Sequence, residues 1–116
     1  MLTYYPEEKM NERFEYAVDF KGVNSRASMY NVILDSLDFP EWCGVTLDSI
    51  WDCLTDMLDD RVTITLDNFD CMENYDKAMA GKLYDIFKES KERADRLNVK
   101  GYKIFVIRQG VKTEIK

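Results

Sequence analysis

The stretch FPEWCGVTLDSIWDCLTDMLDD, from Phe39 to Asp60, predicts a constrained loop followed by a short helix with two unlike faces. Apolar residues at helical spacing predict a stripe that packs against the core, formed by Leu47, Ile50, Trp51, Leu54, Met57 and Leu58. Aspartates three and four residues apart predict an acidic stripe on the outer face, formed by Asp48, Asp52, Asp56 and Asp59. Like charges at this spacing destabilise a helix by roughly 0.2–0.5 kcal/mol per pair. The acidic stripe therefore does not serve the stability of its own helix.

The loop that precedes this helix contains residues that restrict its shape. Pro40 fixes its own φ angle, and Gly44 permits a backbone turn that other residues resist. Thr46 is a candidate N-cap for the helix. We therefore expect Trp42 to be held on a constrained loop beside the acidic stripe. Trp51 falls on the apolar stripe, and we assign it to the core.

Length, charge and cysteine content limit the class of protein. A chain of 116 residues with 46% hydrophobic residues predicts one folded domain. Its formal net charge of −6 favours a basic partner and disfavours nucleic acid and anionic membranes. Three cysteines without a CxxC spacing predict reduced thiols in a cytoplasmic protein, and Cys53 is expected to be a buried structural thiol. The absence of a long apolar run predicts neither a signal peptide nor a membrane span.

The rest of the chain predicts an α/β fold. Period-two patterns and β-branched or apolar runs predict strands, and period-3.6 patterns predict helices. The predicted order is strand 14–20, helix 26–37, the central helix, strand 61–66, a polar connection 67–74 anchored by Phe69 and Met72, helix 75–97 and strand 102–107. This order predicts a small three-stranded parallel sheet packed by helices, with the run IFVI at 104–107 covered on both faces. We expect a domain over 13–109, an N-terminal arm over 1–12 and a polar C-terminal tail over 110–116. Gly81 within the long helix suggests close packing there.

The sequence lacks the residues that several kinds of catalytic site require. The chain contains no histidine, which excludes Ser–His and Cys–His pairs and HExxH zinc sites. Asp48 and Asp52 lie on one helical turn, whereas a glycosidase needs its carboxylates across a cleft. The acidic stripe lacks the spacing of a calcium-binding loop. We therefore expect no catalytic residues, no metal, no cofactor and no enzymatic activity.

A longer pattern covers Pro40 to Thr55. It consists of a Pro-Glu-aromatic-aromatic-Gly loop, a short gap, and then Leu-Asp-x-apolar-Trp-Asp-x-Leu-Thr, with Trp42 at the first aromatic position and Cys43 at the second. This stretch resembles the barstar family, the intracellular protein inhibitors of small secreted bacterial ribonucleases. The resemblance extends more weakly from about Tyr16 to Ile107. It implies a barstar-like three-layer sandwich.

The resemblance also implies a binding surface for a small, basic, secreted ribonuclease. In that family, carboxylates occupy the places of RNA phosphates, and a loop aromatic covers the catalytic cleft of the enzyme. By position, Asp52 would enter the phosphate site, Asp48 would pair with arginines, and Trp42 would pack on the enzyme's catalytic histidine. The full set of partner-binding positions is Trp42, Gly44, Thr46, Asp48, Asp52, Thr55 and Glu89. Arg93 stands where the family has a second acid on the long helix, next to Glu92.

Other interpretations stay open at this point. A run of charge along a helix is ordinarily a solvated face, and a single tryptophan is often a core residue. The same fold could also serve as an immunity or regulatory module for a different basic protein. We expect the free chain to be a monomer.

Overall fold

A computed structural model of the chain describes residues 13–116, so the expected arm over 1–12 lies outside the described residues. The elements follow one another as β1 (Phe14–Asp19), α1 (Arg26–Ser36), α2 (Leu47–Thr55), β2 (Val62–Asp67), α3 (Phe69–Tyr75), α4 (Lys77–Arg96), β3 (Lys103–Arg108) and β4 (Val111–Ile115). The expected α/β class is confirmed. No helix among the described residues has both the length and the apolar character needed to cross a bilayer.

The sheet has four strands in the order β1-β2-β3-β4. The first three strands run parallel, as predicted, but β4 pairs antiparallel with β3, so the predicted three-stranded, purely parallel sheet was wrong. The extra strand lies in the segment 110–116 that was expected to be a tail. Gln109 and Gly110 both have positive φ angles, 50° and 78°, and a two-residue turn of this kind matches the twist of an antiparallel pair. The turn folds Val111–Ile115 back along β3.

The helices cover one face of the sheet, so the expected three-layer sandwich is replaced by two layers. Three paired residues on neighbouring strands, Val18, Leu66 and Val106, are all buried. The residues that precede them on each strand point to the other face of the sheet, and none of these is buried: Ala17, Thr65 and Phe105. The strand order explains this asymmetry, because successive right-handed crossovers that step in one direction place both connections on the same face. Phe105 and Ile107 are only half-buried, so the expectation that 104–107 is covered on both faces was also wrong.

Local signals account for most helix boundaries. Ser25 caps α1, since its hydroxyl accepts a hydrogen bond from the Ser28 amide at 3.0 Å. The predicted polar connection contains the short helix α3, and its two predicted anchors, Phe69 and Met72, are buried. Gly81 is exposed, and an added Cβ would meet nothing within 4 Å, so the close packing suggested for it was wrong.

The junction between α2 and β2 lies against the start of β3. Gly101 approaches Asp60 so closely that an added Cβ would overlap the Asp60 backbone carbonyl. The Gly101 amide also donates to the Asp60 carboxylate at 2.9 Å. Next to it, the buried Tyr102 hydroxyl lies 2.9 Å from the Ser90 hydroxyl, and the Lys91 ammonium donates to the Tyr102 carbonyl at 2.8 Å. These contacts connect α4 and the junction between α2 and β2 to the sheet.

Candidate protein-binding site

The loop over residues 39–46 is tied to the N-terminus of α2. Thr46 is the N-cap, as predicted, and its hydroxyl accepts from the Ser49 amide at 3.1 Å while contacting the Ser49 hydroxyl at 2.9 Å. Gly44 lies against the same serine, because an added Cβ would come within 2.8 Å of Ser49 Oγ. The Cys43 amide donates to the Pro40 carbonyl at 2.9 Å. These short-range bonds support the predicted constraint on the loop.

The inner face of α2 differs in one respect from its predicted stripe. Ile50, Cys53 and Leu54 are buried, but Trp51 is only half-buried and lies outside the core cluster. Successive helical residues are rotated by about 100°, so Trp51 lies that far around the helix from Ile50. The buried sector extends from Ile50 towards Cys53, and the assignment of Trp51 to the core was therefore wrong. Cys53 is a buried thiol, as expected.

Two large apolar side chains project from the loop into solvent. Trp42 is 74% exposed, and Val45 is 61% exposed. The exposure of Trp42 excludes the core interpretation that its residue type left open. Val45 was missed from the sequence, although an apolar residue between Gly44 and Thr46 in a short loop was the available signal. Exposed apolar groups clustered on a rigid support are typical of protein-binding surfaces.

The acidic stripe is mostly unneutralised. Asp48, Asp52 and Asp56 are exposed, and none of the three forms an ion pair with another described residue. Asp59 behaves differently from the outward-facing acid that was predicted, because it is half-buried and contacts the Arg61 guanidinium at 3.1 Å. Its hydrogen bonds with the Arg61 side chain and amide lower the pKa of the Asp59 carboxyl. The stripe therefore leaves three carboxylates on one helix face that are free to meet external cations.

A cleft of about 230 Å³, here called the loop–helix cleft, separates the loop from α2. Its lining consists of Trp42, Cys43, Gly44, Ser49, Asp52 and Cys53. The structure thus brings together three of the predicted partner-binding residues, namely Trp42, Gly44 and Asp52.

The other predicted residues lie outside this cleft. Thr46 and Asp48 occupy the first turn of α2, and Thr55 in its last turn donates to the Asp52 carbonyl at 2.9 Å. Glu89 is exposed on α4, a helix that packs against α2. Arg93 lies one turn further along and is also exposed.

The cleft contains two thiols but no cluster of metal ligands. Burial raises the pKa of Cys53 to about 12, with the neighbouring Cys43 thiol contributing. A thiol with a raised pKa is a poor nucleophile at neutral pH. Among residues 13–116, no three side chains of the ligating types converge closely enough to hold a metal ion. The cleft combines the exposed Trp42 with Asp52 of the acidic stripe, which suits recognition of a cationic surface.

Comparison with known proteins gives the family of the chain. The family model described as Barstar (barnase inhibitor) matches residues 14–106, which cover most of the chain and include the loop, α2 and α4. The chain therefore belongs to the barstar family.

A curated relative carries a similar name. The chain is 29% identical over 75 residues to the Bacillus subtilis (strain 168) protein "Putative ribonuclease inhibitor YrdF", covering 65% of this chain and 82% of the relative. The match spans most of the relative, so the similarity is not confined to the short loop–helix motif.

Proposed function

We propose that this protein inhibits a small, basic bacterial ribonuclease by covering its active site with α2 and the loop over residues 39–46. The observation that carries the proposal is the loop–helix cleft, which the exposed Trp42 and the exposed Asp52 both line. Membership of the barstar family and the similarity to a protein named as a ribonuclease inhibitor support the same role.

The acidic stripe provides the electrostatic part of the mechanism. A ribonuclease active site is cationic because it binds RNA phosphates, and the carboxylates of Asp48 and Asp52 offer the same charge on a rigid helix. Bidentate bonds between arginine and carboxylate are strong in a site that excludes water. The net charge of −6 steers the inhibitor towards a basic enzyme and raises the association rate.

The loop provides the apolar part. Trp42 and Val45 are available to fill apolar surface in the enzyme's cleft, with Trp42 stacking on the catalytic histidine of the target. Gly44 and Thr46 hold the loop against α2, and Thr55 and Glu89 contribute contacts at the rim. Residues of this kind at the centre of an interface usually dominate its energy, whereas rim residues contribute little.

Arg93 indicates one way in which the target surface differs from that of the family's other ribonucleases. An arginine at a position where the family has an acid reverses the local charge on α4, although Glu92 is exposed next to it. We infer that the enzyme recognised by this chain does not place a cation opposite Arg93.

The experiment is titration of the protein into a panel of small basic bacterial ribonucleases, with RNA cleavage measured at low salt. We expect stoichiometric loss of cleavage for at least one enzyme. Asp52→Asn should raise the inhibition constant by roughly 30-fold or more, corresponding to a loss of about 2 kcal/mol or more at a central residue.

The matched control is Asp35→Asn. Asp35 is an exposed aspartate on α1, so this variant changes the net charge by the same amount without altering the candidate site. It should inhibit like the unmodified protein. If both variants changed the inhibition constant equally, Asp52 would act only through the net charge of the protein. If no ribonuclease of the panel were inhibited, the proposed function would be refuted.

A further inference from the structure

Two of the three thiols lie together in the loop–helix cleft. Cys43 and Cys53 are each only 5% exposed, and both side chains line the cleft. Cys71, the third cysteine, lies on α3 and is half-buried outside the cleft. All three are free thiols in this structure.

The backbone directs Cys43 and Cys53 at the same point. The Cys43 thiol donates to the Ser49 carbonyl at 3.5 Å, and Ser49 lies one helical turn before Cys53. Helical side chains lean towards the N-terminus, so the Cys53 side chain points into the turn that the Cys43 thiol already contacts. The two sulfurs are neighbours as a consequence, and the presence of Cys43 contributes to the raised pKa of Cys53.

We propose that Cys43 and Cys53 form a dithiol site that a low-molecular-weight disulfide, such as oxidised glutathione, converts to an intramolecular disulfide. The Cys43 thiolate attacks one sulfur of the reagent, whose sulfur–sulfur bond breaks and releases one glutathione thiolate. The Cys53 thiolate then attacks the Cys43 sulfur of this mixed disulfide and releases the second glutathione thiolate. Two electrons pass from the protein to the reagent, and the two thiol protons pass to the released thiolates.

The order of the two attacks follows from the two environments. Cys53 is the weaker starting nucleophile because burial raises its pKa to about 12. It is well placed for the second step, since an attack within the same cleft is effectively unimolecular. The carboxylates of Asp56 and Asp52 also oppose formation of the Cys53 thiolate, which favours Cys43 as the first nucleophile.

The consequence for binding rests on the proposed function. Cys43 is adjacent to Trp42, and Cys53 is adjacent to Asp52, so the new bond would tie together the supports of both anchors. Bonded sulfurs lie about 2.05 Å apart, which is closer than unbonded thiols can approach. We expect the bond to draw the loop towards α2, and displacements of about 1 Å are enough to impair a preorganised site. We expect the linked form to inhibit the ribonuclease at least tenfold more weakly than the reduced form.

The test begins with the disulfide itself and needs no ribonuclease. The full chain is equilibrated in glutathione buffers, quenched in acid and digested with trypsin, which should release residues 27–61 as one peptide containing Cys43 and Cys53 but not Cys71. We expect the mass of this peptide to fall by that of two hydrogens, and we expect neither of its cysteines to react with an alkylating reagent. Cleavage before aspartate residues should then place Cys43 in the fragment 38–47 and Cys53 in the fragment 52–55, and these two fragments should separate only after reduction.

Matched variants locate the bond. Cys71→Ser should leave the linkage unchanged, whereas Cys43→Ser and Cys53→Ser should each abolish it. Recovery of Cys43 and Cys53 as alkylatable thiols in the unmodified protein, or a linkage through Cys71 or between chains, would overturn the proposal. Because this result comes from the unmodified chain, it does not depend on the folding of the variants.

The second measurement compares inhibition by the reduced and the linked protein. Weaker inhibition by the linked form that dithiothreitol reverses would support control of ribonuclease binding by the two thiols. Equal inhibition by both forms would overturn that control. If the reduced protein inhibits no ribonuclease, the proposed function fails while the peptide map still decides whether the disulfide site exists.

Discussion

Replacing Trp42 with alanine separates a binding role from a folding role. A tryptophan side chain offers up to about 250 Å² for burial. With 74% of its surface exposed in the free protein, Trp42 retains about 180 Å² that a partner can cover. At about 25 cal/mol per Å², full burial is worth about 4–5 kcal/mol. Ordering of the side chain and incomplete coverage reduce this value, so we expect Trp42→Ala to weaken binding by about 2–4 kcal/mol, or roughly 30- to 1,000-fold.

The same exposure predicts little effect on the fold. A surface side chain contributes within about 0.5 kcal/mol to the free energy of unfolding, so urea unfolding of Trp42→Ala should match that of the unmodified protein. Affinity should be measured by calorimetry or inhibition against the same ribonuclease. The matched control is Leu97→Ala, because Leu97 is 56% exposed but lies at the C-terminal end of α4, outside the candidate site. Unchanged affinity of Trp42→Ala with an intact fold, or an equal loss in Leu97→Ala, would refute the reasoning.

Three further predictions concern stability. Gly81→Ala should raise the free energy of unfolding by roughly 0.5–1 kcal/mol, because alanine favours the helix and the added Cβ meets only open space. Gly101→Ala should lower the free energy of unfolding by at least about 2 kcal/mol, because its Cβ would overlap the Asp60 carbonyl. Urea unfolding of the two variants compares these effects. Equal changes in the free energy of unfolding would contradict the close approach of Gly101 to Asp60. Burial raises the pKa of Tyr102 from 10.0 to about 12, although its hydrogen bond with Ser90 opposes this shift. The neutral phenol therefore contributes stability that is fully present below pH 10 and is lost as the pH rises towards 12, by roughly 2–3 kcal/mol in total. Tyr102→Phe should lack this alkaline loss in unfolding experiments across that range, and a retained loss would assign it to other groups.

Short-range chemistry made much of the candidate site predictable. The N-cap at Thr46, the buried face of α2 around Ile50 and the exposed aspartates at 48, 52 and 56 all depend on residues within a few positions of one another. Helical periodicity and capping operate over that distance, so the sequence determines them locally. The family resemblance rested on the same contiguous stretch, and the family match over residues 14–106 confirmed it.

Two side chains, one on α2 and one after it, were wrongly placed from the sequence. Trp51 fits an apolar stripe drawn from spacing alone, but the direction in which the helix docks decides which edge of the stripe is buried. Asp59 fits the acidic stripe by the same spacing, but it lies beyond the helix, where Arg61 reaches it. Periodicity gives the relative angles of side chains and does not give the position of the surface against which they pack.

The fold shows the same division at a larger scale. The order of strands and helices predicted an α/β protein with parallel β1, β2 and β3, because each crossover of that length favours a parallel pair. The fourth strand and the open second face depend on where the chain turns and on the side of the sheet that receives the helices. The turn needs a left-handed backbone at Gln109, and glutamine rarely signals such a conformation in a sequence. The strand β4 is mostly exposed, so its residues show no strong apolar alternation. Local sequence therefore determined the elements and the chemistry of the binding motif, whereas long-range packing decided the number of layers, the exposure of Trp42 and the meeting of Cys43 with Cys53.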